Sequence, residues 1–220
     1  MKIIQVRKSL TDANDSLARE LRSRFARHNI WVLNLIASPG AGKTSLIEKT
    51  IEKFKSGYSI AVIEGDPYTS LDSDRINLVG AKGIQINTSG GCHLDAQMIN
   101  KALEKIDLNH TDILIIENVG NLLCPAAWDL GQDDITVVTS LTEGSDKPYK
   151  YPDAFTRAGT LVINKMDLMP YLPESSQMLK PNALSINPLL TVFEISCTDG
   201  TGLTGWFSWI KKQIDRKRNG

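Results

Sequence analysis

Residues 31–45, WVLNLIASPGAGKTS, decide the fold that the sequence predicts. Positions 31–37 are almost continuously apolar, which is typical of a strand buried on both faces of a parallel sheet. A short turn containing Gly40 and Gly42 follows, and a helical pattern then runs over about 43–56. A strand that leads through a glycine-rich turn into a helix is the first half of the βαβ unit from which open α/β sheets are built.

The rest of the chain repeats this alternation. We expect an α/β fold with a doubly wound, mostly parallel sheet flanked by helices, formed by residues 1–220 as a single domain with about 1–30 as a short N-terminal helical extension. Six more apolar runs predict strands at 59–65, 83–87, 112–118, 134–140, 160–164 and 190–196. The remaining helices are predicted near 14–27, 71–80, 93–106, 152–158 and 202–216.

The composition excludes several classes of protein. Lysine plus arginine and aspartate plus glutamate both number 25, so the net charge is zero, whereas a nucleic-acid-binding domain is usually basic. No apolar run is long enough for a signal peptide or a transmembrane helix. We therefore expect a cytoplasmic protein that binds neither membrane nor nucleic acid, in which the three cysteines are metal-binding, reactive or buried rather than disulfide-bonded.

The turn after the first strand matches the phosphate-binding P-loop and predicts a P-loop NTPase fold. Its glycines let backbone N–H groups converge on phosphate oxygens, and the helix that follows adds partial positive charge. Lys43 is a predicted catalytic residue that reaches the β- and γ-phosphates, and Thr44 is a predicted Mg²⁺ ligand. Ala37 departs from the pattern, which has glycine there. The predicted nucleotide-binding residues of the loop are Ser38, Pro39, Gly40, Ala41, Gly42, Lys43, Thr44 and Ser45.

A second motif indicates which base is bound. Asn164, Lys165 and Asp167 follow the predicted strand at 160–164, and a carboxylate at Asp167 can accept hydrogen bonds from the ring N–H and the amine of guanine. Adenine lacks both donors and would leave the carboxylate unpaired, so such a site discriminates strongly. Ser196 and Cys197 follow the last strand, where a backbone N–H is predicted to reach the guanine oxygen. GTP and GDP are the predicted ligands.

Two further strand ends carry candidate groups for Mg²⁺ and the γ-phosphate. Asp66 follows the second predicted strand and is placed to support Mg²⁺, directly or through water. Glu117 ends the fourth strand, and Gly120 three residues later is placed for a backbone contact with the γ-phosphate. Either carboxylate could hold the metal or position the attacking water, and the sequence does not divide these roles between Asp66 and Glu117.

A cysteine and a histidine stand side by side in GGCHLDA, residues 90–96, and Cys124 precedes a proline further along the chain. Thiolate and imidazole suit borderline-soft ions such as Zn²⁺ and Ni²⁺. The residues alone leave two interpretations open. Cys92, His93 and Cys124 are metal ligands, or the cysteines are ordinary small buried residues and His93 begins a helix.

Taken together, the motifs resemble the HypB family, GTPases of the SIMIBI class that help to insert nickel into [NiFe]-hydrogenase. The resemblance covers almost the whole chain and implies slow GTP hydrolysis, a homodimer formed with GTP bound, and delivery of Ni²⁺ with a HypA-type metallochaperone toward the hydrogenase large-subunit precursor. The motifs that carry it are, in order, SPGAGKTS, EGDPYTSLDSDRI, GGCHLDA, ENVGNLLCP, EGSDKPYKYP and NKMD.

The resemblance also assigns residues. It implies that Cys92, His93 and Cys124 bind Ni²⁺ or Zn²⁺ across the dimer interface, where a partner chain or water must complete the coordination, because three ligands do not close a tetrahedral site. It further implies that Lys147 and Lys150 lie near the nucleotide or the dimer contact. Some relatives carry an N-terminal cysteine motif or a histidine-rich tract, and neither occurs in this sequence.

Two alternatives compete with this interpretation. UreG, the urease-maturation GTPase, shares the fold and the nickel biology but typically carries Cys-Pro-His as its metal motif. A non-catalytic switch that dimerises in response to nucleotide and metal is the second alternative, since no arginine finger is identifiable by pattern.

Overall fold

The computed structural model describes residues 6–66 and 71–219. Their centre is a seven-stranded parallel sheet with the strand order β3-β2-β4-β1-β5-β6-β7. The strands are β1 Trp31–Ala37, β2 Ile60–Asp66, β3 Lys82–Asn87, β4 Ile113–Glu117, β5 Asp134–Ser140, β6 Thr160–Asn164 and β7 Thr191–Glu194. The doubly wound parallel sheet is therefore confirmed, and all seven predicted strands are present with ends shifted by at most two residues.

Helices cover both faces of this sheet. They are α1 Val6–Arg27, α2 Lys43–Phe54, α3 Leu71–Val79, α4 Ala96–Ala102, α5 Lys147–Lys150, α6 Pro152–Arg157, α7 Pro173–Ile186 and α8 Leu203–Asn219. Short 3-10 turns lie at Leu103–Lys105, Leu108–His110, Pro125–Ala127, Leu141–Glu143 and Met166–Tyr171. Within the described part of the chain, no helix combines the length and the apolar character needed to cross a bilayer.

Four helices differ from the sequence-based prediction, among them the short helix α5, which was not predicted. Helix α4 begins at Ala96 rather than near 93, because the Asp95 carboxylate accepts from the N–H of Met98 and caps the helix there. Helix α7 was not predicted, and only Leu179 and Ala183 of it are buried, so its apolar pattern is weak. Helix α1 begins at Val6, earlier than expected, and residues 1–5 of the predicted extension lie outside the described residues.

Strand β1 shows why the core needs helices on both faces. Its side chains alternate with period two, so Leu33 and Leu35 pack with α2, α3 and α8, whereas Val32 packs with α1 and α4 on the opposite face. Ile36, also on that second face, joins the cluster under α6 and α7. All seven residues of β1 are buried, which accounts for the nearly continuous apolar run in the sequence.

The chain reverses direction across the sheet beside β1. After β1 it builds β2 and β3 on one side, returns to insert β4 between β2 and β1, and then builds β5, β6 and β7 on the other side. Loops that leave the carboxyl ends of the strands diverge at such a point and open a crevice, where ligands of open α/β sheets bind.

Candidate functional site: a nucleotide cavity and a thiol–imidazole cluster

A cavity of about 610 Å³ opens at the carboxyl edge of the sheet. It brings together the P-loop and the ends of β2, β4 and β6. The residues that line it are Pro39, Gly40, Gly42, Lys43, Thr44, Ser45, Glu64, Gly65, Asp66, Arg75, Glu117, Asn118, Val119, Gly120, Asn164, Lys165, Cys197 and Thr198. We call this space the nucleotide cavity.

The P-loop has the backbone conformation that its glycines permit. Gly40 and Gly42 have φ values of +78° and +99°, and Gly42 immediately precedes the first turn of α2. A side chain on Gly42 would collide with the amide of Asn164, which donates to the carbonyl of Ala41 at 3.0 Å. The first residue of the predicted base motif thus braces the phosphate loop directly.

Carboxylates and a hydroxyl meet where Mg²⁺ was predicted. Thr44 Oγ1 donates to Glu117 Oε1 at 2.9 Å, and Asp66 lies on the same cavity wall. Glu64, which sequence reasoning missed, is only 3% exposed and is the register partner of Glu117 on the neighbouring strand. A charged residue inside the apolar run of β2 was the available signal, since burying a charge is unfavourable unless it has a function or a partner.

The loop after β4 lies against the P-loop. Gly120 lines the cavity, and a Cβ built on it would stand 3.1 Å from the ring of Pro39. A larger residue would therefore push the two loops apart. Arg75 on α3 is another cavity residue that sequence reasoning missed, and its guanidinium forms a fork to the Glu48 carboxylate at 2.9 and 2.8 Å.

The base motif is held together by hydrogen bonds within the protein. Asp167 Oδ1 accepts from the Ser196 hydroxyl at 2.7 Å, and Asn164 Oδ1 accepts from the Cys197 N–H at 3.2 Å. The N–H of Ser196 donates to the carbonyl of Thr201 at 2.9 Å. The N–H groups of Ser196 and Cys197 are thus engaged within the protein, and a contact from either one to guanine stays a prediction. Burial raises the pKa of the Cys197 thiol to about 11, so it is neutral.

The two lysines of the predicted pair lie in different places. Lys147 Nζ donates to Ser38 Oγ of the P-loop at 2.7 Å and is 3.2 Å from Glu143. Lys150 is paired with Asp146 on the surface and is not part of the cavity wall. The structure therefore brings Lys147, but not Lys150, into contact with the P-loop, and neither lysine lines the nucleotide cavity.

Beside the cavity, Cys92, His93 and Cys124 converge. One ligand atom from each residue lies within 4.8 Å of the others, and we call this group the thiol–imidazole cluster. Cys92 Sγ is 3.5 Å from His93 Nδ1. Cys92 is exposed, and the other two residues are half-buried. The convergence of three soft or borderline donors at an accessible point fits Zn²⁺ or Ni²⁺ as a transferable ion.

The imidazole is oriented by an aromatic neighbour. The His93 ring stacks on Trp128 with centroids 4.5 Å apart and an angle of 16° between the planes. Burial lowers the pKa of His93, although the negative charge of Asp95 acts in the opposite direction. The neutral imidazole is therefore favoured, and it has a lone pair available for a metal ion. The pKa of the Cys92 thiol is raised mainly by a hydrogen bond with Cys124 and, to a smaller extent, by burial. Metal binding by the thiols would therefore release protons.

Comparison with known proteins identifies the family. The profile described as "CobW/HypB/UreG, nucleotide-binding domain" matches residues 31–194. The chain belongs to this family. The HypB hydrogenase maturation factor of Rhizobium leguminosarum is 46% identical over 216 residues, which span 98% of this chain and 72% of that protein.

Solved structures within the CobW/HypB/UreG family agree with this result. A crystal structure of HypB from Helicobacter pylori in complex with nickel has a TM-score of 0.87 and 34% identity, covering 93% of this chain and 96% of that one. HypB from Archaeoglobus fulgidus has a TM-score of 0.86 and 35% identity, covering 92% and 99%. The resemblance to HypB that the motifs indicated is thereby confirmed, together with the P-loop NTPase fold.

Proposed function

We propose that this chain is a GTP-hydrolysing metallochaperone that delivers nickel during maturation of [NiFe]-hydrogenase. The observation that carries the proposal is the position of the thiol–imidazole cluster. Cys124 lies on the loop that begins directly after Glu117 and contains Gly120, two residues that line the nucleotide cavity, and its sulfur is within 4.8 Å of the other ligand atoms. One loop thus connects the nucleotide to the metal ligands.

In the nucleotide cavity, each group has a defined task. The P-loop amides and Lys43 hold the phosphates, and Lys43 offsets the negative charge that develops on the transferred group. Thr44, Asp66 and Glu117 are the residues that would hold Mg²⁺, which neutralises phosphate charge when bound. The contact between Thr44 and Glu117 supports this donor set, because a hydroxyl and a carboxylate are hard oxygen ligands. Gly120 offers its N–H to the γ-phosphate.

Guanine selection falls to Asp167. Its carboxylate, oriented by the Ser196 hydroxyl, would accept two hydrogen bonds from guanine, while Asn164 keeps the base motif and the P-loop in register. Lys165 has a left-handed backbone, with φ of 63°, and its aliphatic stem can cover one face of the base. The cavity would therefore favour GTP over ATP.

The thiol–imidazole cluster would carry the metal. Cys92, His93 and Cys124 would bind Ni²⁺, or Zn²⁺ as a close substitute, and a second copy of the chain or water would complete the coordination. A homodimer formed with GTP bound, a HypA-type metallochaperone and the hydrogenase large-subunit precursor are the proposed partners in the cytoplasm. The adjacent Cys-His pair and the separate Cys-Pro favour this function over urease maturation by a UreG-type protein.

Nickel titration with GDP and with a non-hydrolysable GTP analogue tests the proposal. We expect the two affinities to differ by roughly 5- to 150-fold, the usual size of coupling between two sites in one protein. Cys92→Ser and Cys124→Ser should each lose stoichiometric nickel binding and still bind GTP. Cys197→Ser is the matched control, since this third cysteine lies outside the cluster and should leave the nickel stoichiometry intact.

Two results would contradict the proposal. If Cys92→Ser and Cys124→Ser both bound nickel with unchanged stoichiometry, the assignment of these cysteines to the metal site would be wrong. If bound GTP were hydrolysed in a single-turnover experiment no faster than free GTP, the protein would be a non-catalytic nucleotide switch and not an enzyme.

A further inference from the structure

One buried side chain of α1 bonds both segments that carry the thiol–imidazole cluster. Asn14 Oδ1 accepts from the N–H of Ala96 at 2.9 Å, and its Nδ2 donates to the carbonyl of Asp129 at 2.9 Å. These partners are 82 and 115 residues away in the sequence. Asn14 is 8% exposed and makes these bonds where little water competes for them.

Both bonds are made close to the ligands. Ala96 is three residues after His93, and Asp129 directly follows Trp128, on which the His93 ring stacks. Asp129 is five positions after Cys124. The amide of Asn14 therefore fixes the distance between the backbone that carries Cys92 and His93 and the backbone that carries Trp128 and Cys124.

A second asparagine shows what is particular to Asn14. Asn118, directly after β4, accepts from the N–H of Leu94 at 3.1 Å and donates to Asn34 of β1 at 3.3 Å. It anchors the segment of Cys92 and His93 to the sheet, and Leu94 packs closely over Gly65 there. Within the described residues, Asn14 is the one side chain whose hydrogen bonds join that segment to the segment after Cys124.

We propose that Asn14 is a positioning residue of the metal site, an inference that rests on the metal-carrying function proposed above. By holding Ala96 and Asp129 with one amide, it keeps His93 against Trp128 and within reach of both thiols. An amide suits this task because it offers one acceptor and one donor, whereas a carboxylate offers no donor to the Asp129 carbonyl. Helix α1 is thus a structural part of the metal site.

The test compares three variants of the full chain by nickel titration and by the thiolate-to-nickel charge-transfer spectrum. Asn14→Ala removes both bonds and should weaken nickel binding about 10- to 100-fold, the usual loss when a residue that supports metal ligands is replaced. The charge-transfer band should shift or weaken. Asn14→Asp keeps the acceptor for Ala96 and loses the donor, so it should weaken nickel binding as well, while GTP affinity stays within about twofold of wild type.

Arg22→Ala is the matched control. Arg22 also joins α1 to Asp129, donating to its carboxylate at 2.8 and 2.9 Å, but this bond does not involve the segment of His93. Its removal should leave nickel affinity and spectrum within about twofold of wild type, because exposed ion pairs contribute little. A similar loss in Arg22→Ala would mean that any weakening of α1 has the same effect, and would overturn the specific role of Asn14.

The remaining outcomes separate this inference from the function on which it rests. Wild-type nickel affinity and spectrum in Asn14→Ala, with nickel lost in Cys92→Ser, would overturn the positioning role and leave the metal site standing. If Asn14→Ala and Cys92→Ser both bound nickel like wild type, the proposed metal site itself would be wrong. Loss of GTP binding in both Asn14 variants would also overturn the inference, because Asn14 would then support the whole fold.

Discussion

The nucleotide cavity and the thiol–imidazole cluster share a loop but are built in different ways. The cavity stands on strand ends, and its key side chains belong to short contiguous motifs that the sheet itself aligns. The cluster stands on two loops, includes an exposed thiol, and depends on side chains from elsewhere, notably Asn14, Asn118 and Trp128. A site on strand ends is rigid, whereas a site tied together by a few hydrogen bonds can change its geometry at low cost.

The shared loop gives the two sites a physical connection. Glu117 accepts from Thr44 of the P-loop, and Asn118 accepts from the N–H of Leu94 beside His93. Gly120 lies so close to Pro39 that an added Cβ would stand 3.1 Å from the proline ring. A phosphate that moved this loop would therefore change the support of a metal ligand. The contrast between a rigid cavity and an adjustable cluster fits the metal-carrying function proposed above.

The largest expected effect tests whether the cavity acts independently. Asp167→Ala should reduce the preference for GTP over ATP by roughly 10³- to 10⁴-fold, because the carboxylate proposed to recognise guanine would be gone. Competition binding with labelled GTP against ATP measures this ratio. Nickel affinity of the nucleotide-free protein should not change, since Asp167 is bonded to Ser196 and has no contact with the cluster. An unaltered ratio would remove Asp167 from base recognition.

A smaller effect tests the connection. Lys43→Ala should cost about 3 kcal/mol of GTP binding, roughly a hundredfold in affinity, because a charged hydrogen bond to phosphate would be lost. Calorimetric titration with GTP measures the loss. The nucleotide-free variant should bind nickel like wild type, and at nucleotide concentrations that saturate only wild type it should show no effect of GTP on nickel affinity. Weaker nickel binding without nucleotide would show that the two sites are not separate.

The smallest expected effect concerns Asp134, at the amino ends of the strands, opposite the nucleotide cavity. Asp134 begins β5, and burial raises its pKa to about 6 despite hydrogen bonds from Thr136 and Thr160. The folded protein therefore binds a proton at Asp134 more tightly than the unfolded chain does. The free energy of unfolding falls as the pH rises through about 6 and the buried carboxyl group ionises. Lowering the pH from 7 to 5 should increase the free energy of unfolding of wild type by about 1 kcal/mol through Asp134, and this increase should be absent in Asp134→Asn.

Chemical denaturation of wild type and Asp134→Asn at several pH values measures this difference directly. Both nickel and GTP affinities should be the same in the two proteins at pH 7, because Asp134 begins β5 at the amino end of the strand, whereas the cavity lies at the carboxyl ends of the strands. If the unfolding free energy of Asp134→Asn changed between pH 7 and pH 5 in parallel with that of wild type, the pKa of Asp134 would not be raised in the folded state.

Local patterns predicted much of this molecule. The apolar runs located seven strands, and the glycine-rich turn located the P-loop, because both depend on residues that are neighbours in sequence. The prediction failed for α7, whose buried side is narrow, and it missed Glu64, whose significance depends on the strand beside it. It also missed Trp128, an aromatic residue in a loop whose partner is 35 positions earlier in the sequence, at His93.

What the sequence determined by itself was the fold class, the phosphate loop, the base motif and the identities of the candidate metal ligands. Each of these follows from residue types at short spacing, where the chain geometry leaves few alternatives. The tertiary structure alone decided that Cys92 and Cys124 meet, that Lys147 and not Lys150 reaches the P-loop, and that Asn14 joins the two ligand segments. These contacts depend on the order of strands in the sheet and on single hydrogen bonds across long stretches of chain, which no local pattern encodes.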